Sequence, residues 1–234
     1  MKRNQSGFTL IEIAIVLVII GLLLGGVMKG QELINSAKVK NLAADFKNTS
    51  LYIYSYQDKF RSLPGDDALV SSHLTGATAA ASSVGGVQTI GNGRVDGFWD
   101  KFDSAADTSE SYLFWQHVRL AGLATGVTTL TDTTGAYPPR NTLGGIIGIT
   151  NSTDANNPIS GLRGAYIICS ANIQGKFAKQ LDIMLDDGVG NTGSLQTQGP
   201  APGSTAAGTL TVGAAPLVNA NIDDTTLYTV CMGV

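Results

Sequence analysis

Glu12 is the only ionisable side chain between Phe8 and Met28, in a run of 21 residues that is otherwise apolar or weakly polar. A carboxylate in such a setting performs no reaction alone. What it can do is pair with a cation. Unpaired near a bilayer centre it costs roughly 2.5–3.5 kcal/mol, and less toward the interface. The other residues with chemical potential are scattered. His73 and His117 have no nucleophile or ligand pattern around them, and His117 reads as a satisfied interior histidine. Cys169 and Cys231 allow one pairing, or stand as two buried thiols. The chain has no Gly-x-Ser-x-Gly elbow, no His-Glu-x-x-His, no phosphate loop and no Cys-x-x-Cys. Aspartates in glycine-rich turns leave a paired-carboxylate hydrolase open, but nothing marks out an acid and a base. The expected reading is not an enzyme, with no catalytic residues.

The 234 residues suit one large domain or two small ones. Charge is divided unevenly along them. Residues 1–49 hold six basic against three acidic side chains, and residues 50–234 hold nine against fifteen. An acidic globular part argues against general nucleic-acid binding, which rests on Lys and Arg neutralising phosphates. No nucleic-acid partner is expected.

The elements that must position Glu12 begin with a short basic leader, Met1-Lys2-Arg3-Asn4-Gln5-Ser6-Gly7. Phe8 to Met28, as a helix, spans about 30 Å, one bilayer core. Lys2 and Arg3 hold the N-terminus in the cytoplasm by the positive-inside rule. An ordinary secretory signal needs a small-x-small cleavage site after the apolar run, and Leu24-Gly25-Gly26-Val27-Met28-Lys29 is a poor one. The alternative is a cut before the run, between Gly7 and Phe8.

Gly7 followed by Phe8-Thr9-Leu10-Ile11-Glu12-Ile13, with a basic leader before and an apolar helix after, resembles the class III signal of type IV pilins and pseudopilins. The resemblance implies cleavage after Gly7 by a prepilin peptidase and methylation of the new amine on Phe8. It implies an assembly role for Glu12, which would meet the Phe8 ammonium of a neighbouring subunit. A charge that is costly alone and paired on assembly favours the assembled state and fixes register. The implied partners are copies of the chain or other pilin-like subunits in a helical filament, the peptidase, and an inner-membrane assembly platform. The implied location is the bacterial inner membrane, single-pass with the N-terminus cytoplasmic, then a periplasmic or cell-surface filament. A pilin's C-terminal region is often tied by a disulfide, which fits Cys169 with Cys231.

The implied fold is α+β and pilin-like: a long N-terminal helix packed on an antiparallel sheet, with large loop insertions. The divisions expected are a leader at 1–7, a transmembrane and filament-core helix at 8–28, its amphipathic continuation at 29–63, and a head domain at 64–234. Val39, Leu42, Phe46, Thr49, Ile53, Tyr56 and Phe60 recur at spacings of three and four, the stripe of a helix with one buried face. Pro64-Gly65 ends that pattern. Gly25 and Gly26 permit either local bending or close packing against another helix.

Within the head, Asp107-Thr108-Ser109-Glu110 reads as a capping box, opening a helix to about Ala121. Residues 144–150, 163–170 and 225–232 read as strands, 175–185 as a helix, and 196–221 as loop. Gly91-Asn92-Gly93-Arg94-Val95-Asp96-Gly97 resembles a calcium-type turn. Arg94 stands where a ligand is wanted and no bidentate glutamate follows, so it reads as a hydrogen-bonded turn. Asp182, Asp186, Asp187 and Asn191 form a second acidic turn. It reads as a solvated turn, or, by resemblance to pseudopilins with a calcium in a C-terminal loop, as a structural calcium site. No other cofactor is expected.

Overall fold

The computed structural model describes residues 10–81, 90–100, 108–130, 136–153, 157–199 and 213–234. The chain divides into two compact units, residues 1–38 and 39–234. Helix α1 spans Leu10–Phe60. It is followed by the short α2 (Val70–His73), then α3 (Glu110–Leu120) and α4 (Gly175–Leu185). Four strands, β1 (Ile147–Asn151), β2 (Tyr166–Gln174), β3 (Leu195–Gln198) and β4 (Leu227–Gly233), form one antiparallel sheet in the order β1-β2-β4-β3. This is the α+β arrangement expected, consistent with a pilin-like fold.

The second half of α1 buries Val39, Leu42, Ala43, Phe46, Thr49, Ile53 and Tyr56. That is the three-and-four stripe read from the sequence, with Phe60 half-buried at its end. The helix stops at Phe60 because Arg61 adopts a left-handed conformation, φ 57°. That conformation costs a non-glycine residue roughly 1–2 kcal/mol. Pro64 and Gly65 then prevent resumption. Gly65 is at φ 93°, and a Cβ there would sit 2.4 Å from the carbonyl oxygen of Glu110. No other residue fits that approach.

The sheet is buried on both faces. Ile168, Val230, Leu195 and Ile149 join the α1 stripe and the α3 aromatics in the main core. Trp99, Ile159, Leu162, Ile167, Ala171 and the two cysteines form a second core. Along β2, Tyr166 and Ile168 belong to the first core, and Ile167 and Cys169 to the second, the period-two alternation of a strand. Ile173 breaks parity and returns to the first core. The cause is a bulge between Ser170 and Ile173, where Asn172 takes φ 58°. One extra residue moves every later side chain to the opposite face.

Cys169 lies opposite Cys231 across β2 and β4, and the two are disulfide-bonded. The bond closes a sequence separation of 62 residues. On the chain-entropy account, restricting the unfolded chain in this way stabilises the fold by roughly 4 kcal/mol.

Three expectations are corrected. Leu195–Gln198 is strand β3, not loop; it forms the sheet edge beside β4. Its polar Gln-Thr-Gln sequence is offset by ladder bonds to β4, by the Thr197 N–H donated to the Gly190 carbonyl and by the Leu217 N–H donated to the Thr197 carbonyl. The N-cap of α3 is Ser109, which makes no side-chain cap bond, and Asp107 lies outside the described residues. Glu110 is the first helical residue, so its side chain cannot close a capping box; it goes elsewhere, as shown below.

Candidate functional site

Every side chain from Leu10 to Lys29 is exposed. Among them are the large apolar residues Leu10, Ile11, Ile13, Ile15 to Ile20, Leu22 to Leu24, Val27 and Met28. Each gains roughly 1.5–3 kcal/mol when buried, so this surface is built for apolar surroundings. Among the described residues α1 is the one helix long and apolar enough to cross a membrane. Glu12 lies in its first turn, where a carboxylate also complements the helix dipole. Gly7 and Phe8 lie outside the described residues. The helix continues unbroken through Gly25 and Gly26, and a Cβ at either would meet nothing in the chain.

Residues 2–28 match the prokaryotic N-terminal methylation motif. This is the prepilin-type motif of type IV pilins and pseudopilins. The match covers the leader and apolar helix together, and with the exposed apolar helix it fits anchoring in a membrane before assembly. It implies processing by a prepilin peptidase and assembly into pilin-type filaments in general. This class is structural rather than enzymatic. No curated protein and no solved structure matches the chain.

Among its described residues the head carries two acidic constellations. At the C-terminal end of α4, carboxylate oxygens of Asp182, Asp186 and Asp187 come within 4.8 Å of one another. Asp182 is fully buried; its Oδ1 accepts the Gly188 N–H at 3.1 Å, and its Oδ2 has no partner. Asp186 Oδ2 accepts the Leu195 N–H, and Asp187 accepts the Val189 N–H and the Thr192 hydroxyl. Burial, followed by the Asp187 and Asp186 charges, raises the Asp182 carboxyl to about 6. Asn191, in the same turn, is half-buried.

The other constellation was not legible as one in the sequence. Asp66, Asp96 and Glu110 are all buried where the turn after α1 meets loop 90–97 and the start of α3. Asp66 accepts N–H groups from Gly91, Asn92 and Gly93, so the loop read as a hydrogen-bonded turn closes on a carboxylate from outside it. Asp66 follows Pro64-Gly65, where adjacent acids look like solvated turn residues.

His117 is a satisfied interior histidine. Its Nδ1 accepts the Gly65 N–H and its Nε2 donates to the Thr78 carbonyl, each at 2.8 Å, which fixes one neutral tautomer. Burial lowers its pKa. His73 pairs through Nδ1 with Asp67, which also accepts the Tyr56 hydroxyl. No nucleophile completes this group among the described residues. A hollow of about 410 Å³ is lined by Asp45, Tyr52, Trp115, Arg119 and Arg140 among others. Arg119 Nη1 donates inward to the Val127 and Tyr137 carbonyls.

Proposed function

We propose that the chain is a structural subunit of a type IV pilus-like filament. It is made as a precursor, held in the inner membrane by α1, cut between Gly7 and Phe8 and methylated on Phe8. The same helix then becomes filament core. The observation that carries this reading is a methylation motif continuous with the first stretch of α1, Leu10 to Met28, whose apolar side chains are all exposed and whose single charge is Glu12.

In assembly, the Phe8 amine of one subunit supplies the cation and Glu12 of a neighbour the anion. In an apolar surrounding, their attraction is larger than in water, and leaving either unpaired is costly. Subunits that slip by one residue lose the pair, so the charge sets register as well as favouring assembly. The alternative job for the same device is a minor pseudopilin of a type II secretion system; both use the same processing and the same helix. A membrane-anchored binding or enzymatic domain would need a site in the head, where both His117 nitrogens and Arg119 Nη1 are already bonded to backbone groups.

The test is the mass of the mature N-terminus purified from membranes. The expected product begins at Phe8 and carries one added methyl group. An intact leader, or a cut beyond Met28, overturns the reading.

A second reading concerns the α4 turn, where the partnerless Oδ2 of Asp182 favours a structural calcium. Asp182, Asp186 and Asp187 would hold it, with Asn191 near in sequence. The ion would offset two of three negative charges at the C-terminal end of a helix, where the helix dipole already disfavours negative charge.

A further inference from the structure

The hollow beside α1 is walled by three elements of the 39–234 unit. Helix α1 presents Asp45, Asn48 and Tyr52, helix α3 presents Trp115 and Arg119, and segment 136–140 presents Arg140 with two prolines. Spacings of three and four residues put each helix's contributions on one face. The volume, about 410 Å³, lies in the range of small-molecule sites.

The hydrogen-bonding groups on these walls are incompletely used. Trp115 and Arg119 are 3% and 8% exposed, and neither Trp115 Nε1 nor Arg119 Nε has an acceptor in the chain. Arg119 Nη1 donates to the Val127 and Tyr137 carbonyls at 2.7 and 2.8 Å, which fixes the guanidinium. Its Nη2 makes no hydrogen bond among the described residues. The Asp45 carboxylate shares the hollow and has neither a hydrogen bond nor an ion pair among the described residues. Burial raises this carboxyl to about 6, and no neighbouring cation holds it down. A buried donor without an acceptor is costly, as is a carboxylate drawn partly out of water. The hollow therefore holds donors and an acceptor that the fold itself does not satisfy.

Charge narrows what can use those groups. Arg119 and Arg140 repel a cation, and Asp45 repels an anion. An apolar molecule would strip water from the carboxylate and the guanidinium and return no hydrogen bond. A hydroxyl both donates and accepts. Several hydroxyls on one uncharged molecule can donate to Asp45 and accept from Arg119 and Asn48 together. Tyr52, Pro138 and Pro139 add rings against which the C–H face of a sugar can lie.

We propose that this hollow binds a neutral saccharide, with the Asp45 carboxylate accepting from ligand hydroxyls and Arg119 and Asn48 donating to them. Asp45 is the one carboxylate lining it among the described residues, so it orients the ligand. Binding makes and breaks no covalent bond. The site goes beyond the filament role and is independent of it, because residues 39–234 supply the whole lining. Removing the Asp45 carboxylate also deletes a group the fold leaves unpartnered, so the head keeps its other side-chain bonds without it.

The experiment is saturation-transfer NMR on the full mature chain in a sugar-free detergent, with glucose, galactose, N-acetylglucosamine and lactose as probes. The expected result is saturable transfer to at least one of them. In Asp45→Ala that binding should weaken at least about tenfold, the effect of losing hydrogen bonds to a charged group, while the Tm stays at or above the wild-type value. Transfer to none of the four sugars overturns the proposal, and so does undiminished binding in Asp45→Ala. Asn48→Leu changes an exposed residue of the same wall and keeps the test decisive if Asp45→Ala fails to fold. It should weaken binding at an unchanged Tm, and undiminished binding there overturns the proposal. Glycine and inorganic phosphate serve as zwitterionic and anionic probes. Binding of either in preference to every sugar assigns the hollow to a charged ligand and also overturns it. None of these outcomes bears on the mass of the mature N-terminus.

Discussion

The two stretches of α1 obey opposite rules within one continuous helix. From Leu10 to Lys29 the apolar side chains surround the axis, and all are exposed. From Val39 to Tyr56 they form one stripe, and that stripe is buried. A helix apolar all round suits lipid or other helices, whereas a one-sided stripe suits a core. The first stretch carries its meaning outward, to processing and assembly; the second carries it inward, to the fold. A change in one should leave the other intact.

The largest effect expected is on Glu12. Glu12→Ala should abolish incorporation into filaments, scored by shear fractionation, while the Tm of the detergent-solubilised chain stays at the wild-type value. Normal incorporation would remove the proposed pairing, and a lowered Tm would break the separation of roles. Phe46→Ala is the converse. It removes a fully buried ring from the stripe and should cost roughly 3–5 kcal/mol of head stability by denaturant unfolding. Cleavage at Gly7 should proceed as before, and a precursor that accumulates uncut would show the two stretches to be coupled. The smallest effect belongs to the α4 turn. Millimolar calcium should raise the Tm of the full chain by a few degrees, and Asp182→Asn should remove the rise; no shift in the wild type counts against a bound ion.

What could be read in advance follows the same division. The proposed processing and assembly residues are contiguous, so they show themselves together between Gly7 and Ile13. The α1 stripe shows itself by period, and its end by Pro64-Gly65, three residues beyond the Arg61 turn that stops it. Strand β3 gave no such signal. Leu-Gln-Thr-Gln lacks a β-branched run, and it is strand because β4 pairs with it. The switch of faces along β2 depends on one left-handed residue, Asn172, whose conformation is set by the sheet around it. The cluster of Asp66, Asp96 and Glu110 was hidden for another reason. Its members come from three separate segments, and Glu110 in sequence looked like a capping residue, a role that needs a different position on the helix.

The sheet order has a kinetic consequence. β4 lies between β2 and β3, and those two strands meet only through it. It is also the latest of the four in chain order. A half-made head therefore holds at most the β1–β2 hairpin, with the sheet's interior position empty. Non-local closure of this kind delays folding until the distant partner arrives. Closure of the sheet, and the Cys169–Cys231 bond across β2 and β4, therefore both wait on residues 227–233.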